Sequence, residues 1–289
     1  MTTAVPLFGR KVTVTIGNPT AKSAQGIASG SAIQVTDLAM SFSVKKTLKP
    51  EPNTCDLTIY NLSPDHRAAL EQMQVATVQI EAGYQEGTSV LFVGDLRTGV
   101  STHTGVDYET KLSSGDGEKA IKTARVNVAM KKGTATPAKV LQAVASALGV
   151  GSGNLSQAVA KLQGAGIANN FSEGVVLSGS AFREMNSICR TCALSWSIQN
   201  GKLQILPLGQ ALQTSAIQID QNSGMVGAPT IDNDGVLNVK TLLIPDVFPG
   251  RLLVLNAQRL KGNYRIESCK YDGETHGQNW YNTIQAKRY

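Results

Sequence analysis

Few residues in this chain have the types and spacing that chemistry requires, and they are dispersed. Cys189-Arg190-Thr191-Cys192 has the spacing of a metal knuckle or a redox pair, but a structural zinc site needs two more ligands, and no second pair or neighbouring histidine provides them. Read as part of a helix over 181–193, the same two sulfurs fall on one apolar face with Phe182 and Met185, where a free cysteine behaves as a small hydrophobe. His66, His103 and His276 fall in a first helical turn, a loop and a polar turn between strands. A Ser-His-Asp triad is recognised by geometry, so sequence alone leaves one open, yet no Gly-x-Ser-x-Gly elbow supports it. Asp95, Asp107, Asp116, Glu173 and Glu184 could in principle form the carboxylate pair of a glycoside hydrolase. The elements described next leave no region of catalytic-domain size, so solvated carboxylates are the favoured reading. Gly115-Asp116-Gly117 reads as a hairpin turn rather than a phosphate loop, because no Lys-Ser or Lys-Thr follows it on a helix. The expectation is a chain with no catalytic residue, no cofactor and no metal.

Strands dominate the pattern that would position these groups. Cys55, Leu57 and Ile59 alternate with Asp56 and Thr58, the period of a strand with one wet face. Ser63-Pro64-Asp65 then opens a helix: a hydroxyl to accept an orphan N–H, a proline for the first position and a carboxylate for the positive end of the dipole. Further strands are predicted over 11–16, 31–43, 75–84, 89–98 and 107–113, enough for a barrel or a sandwich. The composition changes near Lys131-Lys132-Gly133. Thr136-Pro137 starts a helix whose Val140, Leu141, Val144 and Leu148 recur at helical spacing until Gly149. A second helix is predicted over 155–162, inside a Gly-rich stretch from 149 to 174 that reads as mobile, and a third over 181–193. Asn200-Gly201 then joins two short strands in a tight hairpin. From about residue 220 strands return, over 236–243, 251–255, 264–271 and 279–286. The fold class is mainly β with a small α+β insert, divided at 1–130, 131–215 and 216–289.

At 289 residues, with 42% hydrophobic and 17% charged content, the chain is globular in composition and long enough for two or three cores. The net charge of +6 is carried by scattered Lys and Arg, so no specific nucleic-acid binding is expected, and acidic neighbours account for it equally well. No apolar run approaches the roughly 20 residues that cross a bilayer, and residues 1–10 lack the layout of a secretion signal. No stable membrane insertion and synthesis in the cytoplasm are expected. Four dispersed cysteines read as reduced, buried thiols. Trp196 and Trp280 read as core anchors. Phe248, in Pro245-Asp246-Val247-Phe248-Pro249-Gly250, is an aromatic on a rigid loop tip and the candidate for contact with a partner.

Several segments together resemble, in order and spacing, the compact baseplate hub proteins of tailed bacteriophages: Pro52 to Ser63, Gly83-Tyr84, Phe92 to Leu96, Asp116-Gly117, Trp196 to Gly201, Ser223 to Gly227 with Pro229, Leu242 to Gly250, and Gly262-Asn263-Tyr264. The resemblance implies two tail-tube-like antiparallel β-barrel domains, at 1–130 and 216–289, with the helical or α+β insert of 131–215 between them. It implies a homotrimer that presents six barrels, joins a six-fold tail tube to a three-fold central spike or fibre, meets other baseplate proteins and nucleates tail assembly. The location it implies is the virion, and the mechanism is binding rather than catalysis. Other readings are a distal tail protein or another ring component of the tail tip, a tail-associated cell-wall hydrolase, and a polysaccharide-binding β module. The last predicts rows of exposed aromatics, against an aromatic content of 5%.

Overall fold

The computed structural model describes residues 9–17, 32–73, 75–164, 171 and 173–289. The chain is mainly β, 53% strand and 18% helix. It divides into two compact units, the second of which, Leu48–Pro52 with Gly117–Gln210, is an insertion into the first.

The first unit starts with β1 (Arg10–Gly17), β2 (Ala32–Val35), β3 (Met40–Thr47) and β4 (Asn53–Tyr60), passes through helix α1 (Pro64–Gln72), and continues as β5 (Thr77–Tyr84), β6 (Gly87–Thr104) and β7 (Asp107–Asp116). Alternation explains the faces: Cys55, Leu57 and Ile59 of β4 are buried, as are Val12, Val14 and Ile16 of β1. In α1, Ser63 accepts a hydrogen bond from the His66 N–H at 3.3 Å, with Pro64 in the first turn. Residues 31–43 do not form the single strand that their composition predicts. The run is interrupted at residues 36–39 between β2 and β3, where the Thr36 hydroxyl donates to Asp37 Oδ2 at 3.0 Å; residue 31 lies outside the described residues. Gly115-Asp116-Gly117 is not a hairpin turn either. Gly115 and Asp116 complete β7, and Gly117, at φ +72°, takes the chain into the inserted unit.

The inserted unit contains α2 (Glu118–Thr123), β8 (Arg125–Met130), α3 (Pro137–Leu148), α4 (Leu155–Gly164), β9 (Val175–Ser180), α5 (Ala181–Thr191), β10 (Leu194–Gln199) and β11 (Lys202–Pro207). It begins before the composition change at 131, because β8 pairs with β9 from Arg125 to Met130. Its core gathers Val140, Leu141 and Val144 of α3, Met185 and Cys189 of α5, and Trp196. Trp196 donates its indole N–H to Asn186 Oδ1 at 2.8 Å and meets Phe182 edge-on. Asn200 and Gly201, at φ +53° and +72°, make the tight turn between β10 and β11. The start of the Gly-rich stretch is ordered by β11. Gly151 exchanges backbone hydrogen bonds with Gly201 and Leu203, and the Asn154 carboxamide bonds both the N–H and the C=O of Ile205 at 2.7 Å. A Cβ on Gly153 would lie 1.8 Å from the Leu203 carbonyl oxygen, so only glycine lets the backbone approach this edge. Residues 165–170 and 172 of the same stretch lie outside the described residues.

The chain re-enters the first unit with β12 (Ile217–Asp220), β13 (Met225–Ile231), β14 (Val236–Leu242), β15 (Leu252–Asn256), β16 (Lys261–Glu274) and β17 (Trp280–Arg288). These strands and the earlier ones form one 13-stranded sheet with the path β13-β14-β17-β16-β3-β4-β7-β6-β5-β1-β2; β15 joins the early half of β16, and β12 lies parallel to β15. The sheet is therefore two strand sets, one drawn from residues before the insert and one from residues after it, joined where β3 pairs with β16. No closed barrel is formed by the described strands. At the seam Ser43 donates to Asp272 Oδ1 at 2.8 Å, and Gly273 lies opposite Phe42, whose ring occupies the space a Cβ on that glycine would need. Phe42 and Tyr84 pack edge-on around buried Trp280. Beside the seam Lys46 is buried, with Nζ donating to the Leu91 carbonyl at 3.0 Å and Asp116 close enough to act on it electrostatically. Burial lowers its pKa to about 8 against the opposing pull of Asp116.

Candidate interaction surfaces

The structure places the sequence-predicted chemical residues on separate elements. Cys189 and Cys192 are free and buried on the α5 side of the inserted core, and burial pushes the Cys189 thiol up to about 12, away from nucleophilic use. His66 and His103 are exposed on α1 and β6, and His276 is exposed between β16 and β17, its Nδ1 3.0 Å from the Thr275 hydroxyl. Among the carboxylates, Asp107 accepts from Asn61 Nδ2, Asp116 from Asn53 Nδ2 and Glu173 pairs with Lys132, while Glu184 stands in the first turn of α5 and Asp95 on β6. Among the described residues no three His, Cys, Asp or Glu side chains gather as a metal site. A surface depression of about 290 Å³ at the ends of β12 and β15 includes Asp220, whose carboxylate already accepts the N–H groups of Asn222 and Ser223. Neither arrangement provides a poised acid and base.

The most prominent surface feature is the outer half of the β6–β7 hairpin. From Thr98 outward, β6 has β7 as its only strand partner among the described residues, since β5 covers only the stretch up to Asp95. Its apolar side chains face water: Val100 is 57% exposed and Val106, at the turn, 93%. A valine exposed at a loop tip buries little of its apolar surface within the chain. The tip of the hairpin, next to its turn, is fixed by Asn61, which adopts φ +55°. Its backbone N–H donates to the Tyr108 carbonyl at 2.7 Å, its carboxamide N–H to Asp107 Oδ1 at 2.8 Å, and its side-chain oxygen accepts the Tyr108 N–H at 3.0 Å. The Arg67 guanidinium stacks 3.8 Å above the Tyr108 ring. Sequence reasoning counted Asn61 as part of a strand exit and missed this clamp. The usable signal was an asparagine directly after a strand, the residue other than glycine best suited to the left-handed region.

The loop carrying Phe248 is held from within the first unit. Arg251 donates to the Asp246 carbonyl and the Ser215 carbonyl, each at 2.7 Å, and its guanidinium lies 5.2 Å from the centre of the Phe248 ring. The Tyr271 hydroxyl donates to the Val247 carbonyl. Phe248 is half-buried, with one part of the ring against Arg251 and part open to solvent. A loop tied at two of its own carbonyls by Arg251 and Tyr271, with Arg251 anchored in turn to Ser215, presents its aromatic with little entropy left to lose on binding.

Comparison with known proteins adds family and fold. A family described as Baseplate hub gp41 matches residues 11–286. A comparison with curated protein sequences finds no match. Among solved structures, the 43 kDa tail protein of prophage MuSo2 from Shewanella oneidensis superposes with a TM-score of 0.64 at 8% identity, over 97% of both chains. The tail protein from Neisseria meningitidis MC58 gives 0.58 at 10% identity, also over 97% of both. The E. coli c3393 protein, a type VI secretion component described as similar in structure to the T4 tail proteins gp27 and gp5, gives 0.53 at 7% identity over 87% of this chain and 73% of that one. At such identities these likenesses are of fold. The fold is thus shared with phage tail proteins, and the match over nearly the whole sequence shows that this chain belongs to the Baseplate hub gp41 family.

Proposed function

We propose that this chain is the hub of a phage baseplate, a structural virion protein that trimerises into a ring between the six-fold tail tube and the three-fold central spike or fibre. The observation that carries this reading is the construction of the first unit from two strand sets of one chain, joined at the β3–β16 pairing. Two tail-tube-like barrel domains, one drawn from the strands before the inserted unit and one from the strands after it, give six such modules in a trimer. One side of the ring then repeats six-fold and the other three-fold, and closed rotational symmetry limits its size. The exposed arm of β6 and β7 and the fixed loop with Phe248 are its contact elements, toward neighbouring copies, tube proteins, the spike or fibre and other baseplate proteins. Such a ring is the platform on which tube assembly starts. It is made in the host cytoplasm, binds no specific nucleic acid and catalyses nothing.

The test is the copy number of this chain per purified tail, by quantitative mass spectrometry against the major tube protein. Three copies support the hub. Six copies point to a distal tail protein or other ring component. Absence from particles, together with clearing of cell-wall suspensions by the purified chain, would replace the hub by a cell-wall hydrolase.

A further inference from the structure

The charge of this chain is not spread over the fold but segregated between its two units. The inserted unit contains eleven Lys and Arg against four Asp and Glu, a net charge of +7. The remainder has sixteen against seventeen, a net of −1, and the two together give the +6 of the whole sequence. The excess is densest between Gly117 and Lys139, where Lys119, Lys122, Arg125, Lys131, Lys132 and Lys139 are all exposed. Only Glu118 opposes them within that stretch, and it is already paired to Lys122. Of the other acids in the unit, Glu173 is paired to Lys132 and Glu184 stands at the positive end of α5, so two of the six cations, Lys122 and Lys132, have a carboxylate partner and the strip keeps an excess of positive charge.

These cations follow one run of elements. Lys119 and Lys122 lie on α2, Arg125 opens β8, Lys131 and Lys132 follow its end, and Lys139 stands in the first turn of α3. The surface between them is of small and polar side chains, Asn127 and Ala129 of β8 and Ser178 of β9, around one exposed valine, Val176, opposite Ala129. A unit of this size with so few carboxylates repels itself, and a counter-charge relieves that repulsion. Exposed aromatics, on which bases would stack, are missing from the described residues of this unit: Phe182 and Trp196 pack against each other, and Phe171 is half-buried.

We infer that the inserted unit is a docking module for an acidic protein surface, with the strip from α2 through β8 to the start of α3 as its contact. The inference goes beyond the hub reading and does not depend on it. The experiment uses the full-length chain, with fluorescent poly-L-glutamate and a duplex DNA of equal charge as probes, read by anisotropy over a salt series. One variant carries Lys119→Glu, Arg125→Glu and Lys131→Glu; a control carries Lys45→Glu, Lys261→Glu and Lys287→Glu, three exposed cations of the other unit. Thermal unfolding of both variants establishes that they fold. The expected result is salt-sensitive binding of polyglutamate that falls about ten-fold or more in the strip variant and less than about two-fold in the control. Equal losses in both variants would overturn the assignment to this strip. Absence of binding at low salt, or tighter binding of DNA than of polyglutamate, would overturn the acidic protein as occupant.

Discussion

Asn61 shows how one side chain can set a surface. It completes the turn out of β4 in the left-handed region and bonds both Asp107 and Tyr108. Asn61→Gly keeps the backbone but loses the side-chain bonds, and should lower stability by about 1–2 kcal/mol; Asn61→Val adds strain and should cost about 2–4 kcal/mol. Chemical denaturation of both variants measures the order. Lys46 makes a prediction in pH. Its pKa is lowered in the fold to about 8, so between pH 8 and its ordinary 10.5 the unfolded chain holds more protons and stability from this group rises with pH. Below pH 8 the full penalty of the buried charge is present. The buried thiol of Cys269, pushed up to about 12, acts with the opposite sign above its ordinary 9. The informative quantity is therefore the difference between the wild type and Lys46→Met, which should shift in favour of the wild type from pH 8 to 10 in urea midpoints; a flat difference would remove Lys46 as the source. None of this was legible in the sequence. Lys46 belongs to a strand of alternating character, and the groups that surround its ammonium, the Leu91 carbonyl and Asp116, come from β6 and β7, tens of positions away.

At the scale of elements, the legible parts are those whose signals are local. Helix α3 has Thr136, Pro137 and Gly149 at its ends and an apolar stripe between, and each of these acts where the sequence suggests. The Asn200-Gly201 hairpin is equally local. Strands β8 and β9 are not legible because their exposed face mixes Arg125, Asn127, Ala129, Val176 and Ser178 without a polar period, and β12 because its Ile-Gln-Ile-Asp alternation is only four residues long. The seam is the element whose failure is most easily provoked. Gly273→Val would drive its Cβ into the Phe42 ring, with two further carbons beyond it, and should destabilise the first unit by about 3 kcal/mol or more, while Gly87→Val, where a Cβ meets nothing, should cost about 1 kcal/mol or less. Thermal unfolding of the pair tests whether the seam is as close-packed as its geometry. The hairpin arm separates folding from assembly. Replacing Val100 and Val106 by serine should leave the melting temperature within a few degrees and abolish incorporation into tails, scored by tail pull-down; normal incorporation would remove the arm from the interface.

For the whole molecule, architecture was legible as a class and not as a topology. Alternating strands announced a β-rich chain with a helical interlude, but nothing local tells β3 to choose β16, since both edges of that pairing are ordinary strands. The choice is made by burial of Phe42, Trp280 and Tyr271 in a single core. That long-range pairing also gives the molecule a schedule. Ser43 and Asp272, bonded across the seam, are 229 positions apart, and at roughly 5–20 residues per second a ribosome needs on the order of ten to fifty seconds to make the second after the first. The inserted unit, nearly contiguous in sequence, can fold during that interval, while the open edge of β3 waits for a partner that does not yet exist. A strand edge left open for so long is an invitation to cross-pair between nascent chains on one message. Late completion also means that a chain truncated before β16 never presents a finished sheet.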